Sequence, residues 1–252
     1  MPFKQGTQSL GKAFQILREI AAHDTQGVRL TDLGSALGLE PPTAHRLLGR
    51  LVGEQMVVKD ERGRYHLGRQ VFELGLLAAH RFAVPAKVEA LIERAAHELG
   101  DTAFLTVRTG LQMVCLTRKE GSYPIKVVAM APGTRRYLGL GVSGVALLAK
   151  MPREEAEAIL KENQSRFGEF GSASLAKVKH RVEFARRAGY AVSESYFTKG
   201  VGGIGVAVPT QGATPVFSLS LVGLTNRFRP PRRDEVVATM NEVAGEIAVA
   251  FS

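Results

Sequence analysis

Residues 30–52 constrain the fold of this chain most strongly, because two short apolar segments there are separated by glycine and proline. In the first segment, LTDLGSAL, an N-cap at Thr31 and a stop at Gly38 favour a short helix. Pro42 suits the first turn of a second helix, since the backbone N–H that proline lacks is unpaired there anyway. The second segment predicts a polar side with Thr43, His45, Arg46, Gly49 and Arg50, opposite an apolar side with Ala44, Leu47, Leu48 and Leu51. The pattern predicts a helix-turn-helix.

The segments on both sides extend this motif. From Ser9 onward, apolar residues recur every three or four positions and predict a preceding helix. After the pair, MVVKDERGRYHLG alternates apolar and polar residues around a charged tip with Gly63, which is typical of a β-hairpin. Residues 69–82 predict another helix before Pro85. We therefore expect a winged helix-turn-helix domain over residues 1–69, a linker helix over 70–85, and a domain boundary near 80–86.

The net charge of +9, from 33 Lys+Arg and 24 Asp+Glu, does not by itself single out a nucleic-acid domain. Residues 1–85 hold 11 basic and 8 acidic side chains, and residues 86–252 hold 22 and 16, so both parts are equally basic per residue. Between residues 41 and 69, however, there are six basic and three acidic side chains. This local excess lies where a recognition helix and a wing would meet base edges and phosphates. The alternative is an ordinary helical hairpin whose outer charges are merely solvated.

These residues resemble the IclR family of bacterial transcription regulators. In that family a signature similar to T-A-H-R-L-L opens the recognition helix, and residues 43–48 match it. A Y-x-L-G signature closes the wing, and Tyr65, Leu67 and Gly68 match it. One departure is Gly34, where the family usually has alanine, and a glycine inside a helix costs up to about 1 kcal/mol. The resemblance implies that the protein is a repressor and that it forms a homodimer or homotetramer. Such an assembly would bind a palindromic operator in double-stranded DNA.

The two parts of the motif have different expected contacts with DNA. Residues of the recognition helix would meet bases and phosphates, and residues of the wing would contact the flanking backbone or the minor groove. The expected DNA-binding residues are Thr31, Pro42, Thr43, His45, Arg46, Arg50, Arg62 and Arg64. Candidates for apolar contacts between DNA-binding domains or with the linker helix are Leu10, Phe14, Phe72, Leu76 and Leu77.

The remainder of the chain mixes strands and helices, which predicts an α+β domain. Helices are predicted at 86–99, from about Ser143 to 150, at 153–163, at 174–188 and at 231–251. Strands are predicted in TAFLTV, QMVCLT, PIKVVAMA, YAVSES, VGGIGVAVP and PVFSLSLVG. The resemblance implies that residues 86–252 form an effector-binding domain with a curved, GAF-like antiparallel sheet flanked by helices.

The glycine-rich residues 132–144 predict an anion site. Glycines at 139, 141 and 144 let the backbone approach a ligand, and the N–H groups of a helix starting near Ser143 would lie beside Arg135 and Arg136. A carboxylate effector would suit such a site. The alternative is that the glycines merely turn the chain and the arginines are solvated.

The resemblance extends the set of expected effector-binding residues, and departures from the family narrow the effector. The set is Arg135, Arg136, Tyr137, Gly141, Ser143, Gly144, Tyr196, Gly203 and Ser220. Many relatives have a cysteine in place of Gly203, an acidic residue near Tyr196, and a histidine and a threonine at positions 139 and 141. Polar groups that hold small oxo-acids in some members are therefore not all present. We expect a roomier aromatic or aliphatic acid, with Tyr137, Tyr196 and Phe197 as candidate walls.

Two functions other than an effector-controlled regulator are compatible with a chain of this kind: a DNA-binding regulator without an effector, and an enzyme. A DNA-binding regulator without an effector stays open, because the effector segments match the family least well. An enzyme is disfavoured, because the six histidines are scattered, H-E-x-x-H and G-x-S-x-G are absent, and Cys115 lies in an apolar strand pattern. Two G-x-G-x-x-G matches, at 139–144 and 200–205, lack the context of a dinucleotide site. We expect no catalytic residue, metal or cofactor.

The cellular setting follows from two features of the sequence. A single cysteine excludes an intramolecular disulfide and favours the reducing cytoplasm. No apolar stretch approaches the length of a membrane span, so a membrane is not an expected partner.

Overall fold

The chain divides into two compact units, Met1–Ala83 and Val84–Ser252. The computed structural model describes residues 8–23, 26–168, 174–195, 198–212, 214 and 216–251. The first unit contains α1 (Gln8–Ala22), α2 (Leu30–Leu37), α3 (Pro41–Gly53), β1 (Val57–Lys59), β2 (Tyr65–Leu67) and α4 (Arg69–Phe82).

Helix α2 ends as the sequence predicts but does not begin as predicted. Gly38 adopts a left-handed conformation with φ of 60°, which glycine tolerates, and its N–H donates to the carbonyl of Gly34. The prediction that Thr31 caps α2 is wrong. The helix begins at Leu30 with Arg29 in the N-cap position, and the Thr31 hydroxyl donates to Asp32 Oδ1 instead.

The first unit has a small core of its own. The largest fully buried side chains come from three helices: Ile16 and Ile20 of α1, Leu33 of α2 and Leu48 of α3. The hairpin of β1 and β2 joins this core through Tyr65, whose main chain pairs with Val28 in both directions at 3.0 and 2.8 Å. The wing is therefore fixed to the segment that precedes α2.

The second unit is a six-stranded antiparallel sheet with helices on both faces. Its helices are α5 (Ala86–Leu99), α6 (Gly141–Lys150), α7 (Arg153–Phe167), α8 (Leu175–Ala188) and α9 (Arg232–Ala250). Its strands are β3 (Thr102–Thr109), β4 (Gln112–Lys119), β5 (Arg135–Tyr137), β6 (Ala191–Glu194), β7 (Val201–Ala207) and β8 (Phe217–Leu224). The spatial order is β5-β4-β3-β8-β7-β6.

Alternating strand residues pack on two separate cores. Leu105 and Leu219 point toward α5 and α9, whereas Phe104 and Met113 point toward α6, α7 and α8. Gly205 lies on the second face, and a Cβ atom there would come within 2.7 Å of the Val142 carbonyl oxygen. This glycine lets the start of α6 lie directly against β7.

One predicted strand is wrong, and a different segment takes its place. PIKVVAMA, residues 124–131, forms no strand, and β4 pairs instead with Arg135–Tyr137 at the edge of the sheet. The apolar residues of the PIKVVAMA segment cover a cavity rather than a neighbouring strand.

Candidate nucleic-acid interface and effector cavity

The outer face of α3 presents a row of polar side chains. His45, Arg46 and Arg50 are exposed and Thr43 is half-buried, while Ala44, Leu48 and Leu51 are buried beneath them. Arg50 forms an ion pair of 2.6 Å with Glu54 one turn later. Arg46 makes no hydrogen bond or ion pair with any residue that the structure describes, so its charge is available to a partner. Thr31 and Pro42 are exposed at the starts of α2 and α3.

The two arginines of the wing have different surroundings. Arg62 is exposed at the tip, whereas Arg64 donates from Nη1 to the carbonyls of Gln26 and Gly27 at 3.3 and 3.1 Å. Asp60 closes the tip by accepting from the Arg64 main-chain N–H at 2.8 Å, and this bond lowers the pKa of the Asp60 carboxyl. Arg64 thus fastens the wing to the protein, and Arg62 points outward.

A cavity of about 370 Å³ lies in the second unit, on the face of the sheet that α6 covers. This volume is within the range of small-molecule sites. Its apolar wall includes Met113, Met130 and Val222, and its polar groups include Arg136, Ser143 and Ser220. A second cavity of about 480 Å³, beside Phe217 and Phe251, has no charged side chain among its described lining residues.

The polar groups of the first cavity share one chemical preference. Gly141, Val142 and Ser143, the first turn of α6, line it, and no side chain caps this helix. The buried Ser143 hydroxyl donates to Ser220 Oγ at 2.9 Å. Burial lowers the pKa of the half-buried Arg136 guanidinium, and its described lining neighbours include a second cation, Lys126, but no acid. Helix N–H groups and cations both favour an anion.

The structure brings together five of the nine residues expected at the effector site: Arg136, Gly141, Ser143, Gly203 and Ser220. Arg135 and Tyr137 are next to Arg136 in β5 but do not line the cavity: Arg135 is exposed, and Tyr137 packs against the core beside α7, with its ring centre 5.7 Å from the Arg166 guanidinium. Gly144 is buried against the main chain of Leu138 and Gly139. Tyr196 and the candidate wall Phe197 lie outside the described residues.

Several lining residues were missed by the sequence reasoning, among them Met113, Lys126, Met130, Ser193, Thr198 and Val222. Met113 and Val222 are in predicted strands, where alternation shows which side chains point inward. Alternation does not show whether such a side chain meets a helix or a cavity.

Chemistry of other kinds has little support among the described residues. No group of three or more His, Cys, Asp or Glu side chains there could hold a metal ion. Cys115 is buried, and this burial raises the pKa of its thiol to about 11, so the thiol stays protonated near neutrality. No helix in the described part of the chain is long and apolar enough to cross a membrane.

Family models match both units. The model described as IclR helix-turn-helix domain matches residues 9–61, and the model described as bacterial transcriptional regulator IclR C-terminal matches residues 77–249. The chain belongs to the IclR family. It is therefore a transcriptional regulator with a DNA-binding helix-turn-helix domain, rather than an enzyme, as the sequence predicts.

Relatives of known name or structure agree with this assignment. The HTH-type transcriptional repressor AllR of Klebsiella pneumoniae is 26% identical over 98% of this chain and 91% of its own length. The crystal structure of an IclR regulator from Alicyclobacillus acidocaldarius has a TM-score of 0.77 and 23% identity, over 96% of this chain and 97% of that one. An IclR homologue of Microbacterium hydrocarbonoxydans complexed with 4-hydroxybenzoate has a TM-score of 0.71 and 21% identity, over 96% and 98%.

Proposed function

We propose that this IclR-family regulator is a repressor whose affinity for a palindromic operator is controlled by a carboxylic acid bound in the cavity of the second unit. One observation carries the proposal. An apolar cavity of about 370 Å³ contains an arginine, a helix N-terminus and a buried serine pair, with no acidic side chain among its described lining residues. Such a cavity favours an anion with an apolar body over a neutral or cationic ligand.

The first unit supplies the DNA contacts in this proposal. Arg46 and His45 on α3 read or approach base edges, Arg50 contacts phosphate, and Arg62 contacts the DNA backbone beside the wing. Thr31 and Thr43 lie at or beside the helix starts, where main-chain N–H groups attract phosphate, whereas Pro42 has no N–H and contacts DNA only by van der Waals packing. We assign Arg64 chiefly to holding the wing in place, since its guanidinium already binds two carbonyls.

The size and lining of the cavity bear on the effector. Met113, Met130, Val128 and Val222 offer more apolar surface than a two- or three-carbon oxo-acid could cover. We therefore propose an aromatic or branched aliphatic acid. The Microbacterium hydrocarbonoxydans homologue that holds 4-hydroxybenzoate makes this aryl acid the first probe to test.

A second copy of the chain completes the proposal, because a palindrome needs two recognition helices. Large apolar side chains are exposed on α1 and α4, including Phe72 at 66% and Leu77 at 79%, and they offer a self-complementary contact. A Leu77→Glu variant should associate at least about tenfold more weakly in sedimentation equilibrium. An unchanged association constant would place the dimer contact elsewhere.

Two substitutions test the two halves of the function separately. With duplexes selected from random DNA by the native protein, Arg46→Ala should weaken binding by about 1–3 kcal/mol and leave the calorimetric affinity for 4-hydroxybenzoate unchanged. Arg136→Gln should weaken binding of the acid at least about tenfold, and it should leave the affinity for DNA, measured without the acid, unchanged.

Controls and contrary outcomes are matched to each half. Lys161→Ala in α7 and Arg135→Gln on the outer side of β5 remove exposed cations and should change neither affinity. Unchanged DNA binding by Arg46→Ala would refute the α3 assignment. Binding of glyoxylate and pyruvate but of no aryl or branched acid would refute the proposed effector class.

A further inference from the structure

The segment 124–130 crosses the cavity without belonging to the sheet, and we call it the lid. It follows β4 and precedes β5, and it has no regular secondary structure. Five cavity-lining residues, 126–130, come from it. Ile125 and Val128 are more than half exposed, while Met130 is only 8% exposed and packs in the core beneath α6.

The lid is anchored at its two flanks, and within it the Lys126 ammonium donates to the Gly121 carbonyl. Before it, the Tyr123 N–H donates to Gly100 at 2.8 Å, and the Arg227 guanidinium lies 3.8 Å from the centre of the Tyr123 ring. After it, Gly133 and Thr134 exchange main-chain hydrogen bonds with Cys115. Among the described residues, the hydrogen bond of 3.0 Å from Arg136 Nη2 to the Ala129 carbonyl is the only one that reaches the main chain of the lid.

Arg136 also lines the cavity, so one side chain both holds the lid and faces the ligand site. A guanidinium carries five N–H donors in a planar fork, and one arginine can hold a carbonyl and a carboxylate at the same time. A carboxylate beside a half-buried guanidinium also offsets part of the cost of burying its charge. An acid in the cavity and the carbonyl of Ala129 would then be held by a common group.

We propose that Arg136 is a positioning residue that fastens the lid over the cavity, and that a bound acid shares its guanidinium, so that occupancy of the cavity controls opening of the lid. The second half rests on the proposed function, because it needs an acid in this cavity. The first half concerns the protein without any ligand. By reciprocal coupling, an acid that binds the closed lid more tightly must also shift the lid toward the closed position.

An introduced thiol makes opening of the lid measurable, because the chain has only one native cysteine. Cys115 is 1% exposed but belongs to the same core cluster as Met130, so it does not report independently of the lid and is replaced by alanine. In the full-length Cys115→Ala/Met130→Cys variant, the new thiol lies on the inner side of the lid. Its rate of reaction with Ellman's reagent reports lid opening, and hydrogen exchange of the α9 amides, followed by mass spectrometry, reports global opening of the second unit.

In this background, Arg136→Gln should raise the rate at position 130 by about tenfold or more, because a charged hydrogen bond to the lid is lost. Hydrogen exchange of the α9 amides should not change, and Arg135→Gln should change neither measurement. Arg136→Lys, which keeps the charge but loses the planar fork, should also raise the rate and serves if the glutamine variant does not fold. No acceleration in a folded Arg136 variant overturns the fastening role.

Addition of 4-hydroxybenzoate, and of a branched aliphatic acid in parallel, tests the second half. An acid that binds natively should slow the reaction at position 130 and should lose this effect in Arg136→Gln. An acid that binds by calorimetry without slowing the reaction overturns the coupling. If no acid binds while Arg136→Gln still accelerates the reaction, the fastening role stands and the proposed effector function fails.

Discussion

The helices α3 and α6 both begin without a side-chain cap, but they lie in opposite surroundings. Each follows a tight turn. In α3, three of thirteen residues are buried, whereas in α6 eight of ten are buried. In the first turn of α3 only Thr43 has a free N–H group, because residues 41 and 42 are prolines, whereas the N–H groups of Gly141, Val142 and Ser143 in α6 face a cavity. The start of α6 therefore suits a small anion, whereas α3 offers DNA mainly its exposed polar side chains.

The difference in burial has a matched test in the cores beneath the two helices. Leu48 in α3 and Leu147 in α6 are both fully buried, so each change to alanine should cost about 2–5 kcal/mol of unfolding free energy. Leu48→Ala should destabilise only the first unit, and Leu147→Ala only the second. Urea unfolding followed by hydrogen exchange and mass spectrometry resolves the units. A common loss in both units from either variant would show that they unfold together.

A smaller effect tests how closely α6 must approach the sheet. A methyl group in Gly205→Ala would lie 2.7 Å from the Val142 carbonyl oxygen, so the start of α6 must shift. We expect a loss of about 1–3 kcal/mol and weaker acid binding in calorimetry, with affinity for selected DNA unchanged. Gly245→Ala in α9, where a Cβ atom has nothing within 4 Å, is the control and should be neutral or slightly stabilising. If a folded Gly205→Ala variant binds the acid with unchanged affinity, the start of α6 does not contribute to the acid site.

The smallest expected effects concern the two arginines of the wing in the first unit. Arg64→Ala should lower the stability of the first unit by about 1 kcal/mol, because two bonds to main-chain carbonyls are lost. Arg62→Ala should leave stability unchanged but should reduce the slope of log K against log salt for DNA by about one. Thermal melts and salt titrations measure both. The reverse assignment would hold if Arg64→Ala changed only the slope and Arg62→Ala only the stability.

The sequence predicted most of the first unit, because its signals are local. Proline at the start of α3, glycine after α2 and an alternating hairpin each act within a few residues, and the helices formed where expected. The prediction at Thr31 failed by two positions, because the N-cap of α2 is Arg29 and the helix does not use the Thr31 hydroxyl as a cap. Residues on the outer face of α3 could be listed from the helical period alone.

The second unit was predicted less well, because its cavity depends on long-range packing. The apolar run 124–131 was interpreted as a strand, although it covers a cavity, and the three-residue β5 was hidden in a charged, glycine-rich run. Arg135 and Arg136 are indistinguishable in the sequence, and strand alternation separates them only once β5 is known. Met113 and Val222 could be recognised as inward-facing, but a cavity beside them has no signature in the sequence.

The attachment of the wing to residues 26–28 has a consequence for operator choice. Val28 pairs with Tyr65, Arg64 holds the carbonyls of Gln26 and Gly27, and His66 Nε2 lies 3.2 Å from Asp60 Oδ2 at the base of the tip. The reach from α3 to the wing is thus set by covalent chain and core rather than adjusted on contact. On the palindromic operator proposed above, each DNA-binding domain would therefore cover a fixed length of one half-site, and differences among operators should be tolerated between half-sites rather than inside them.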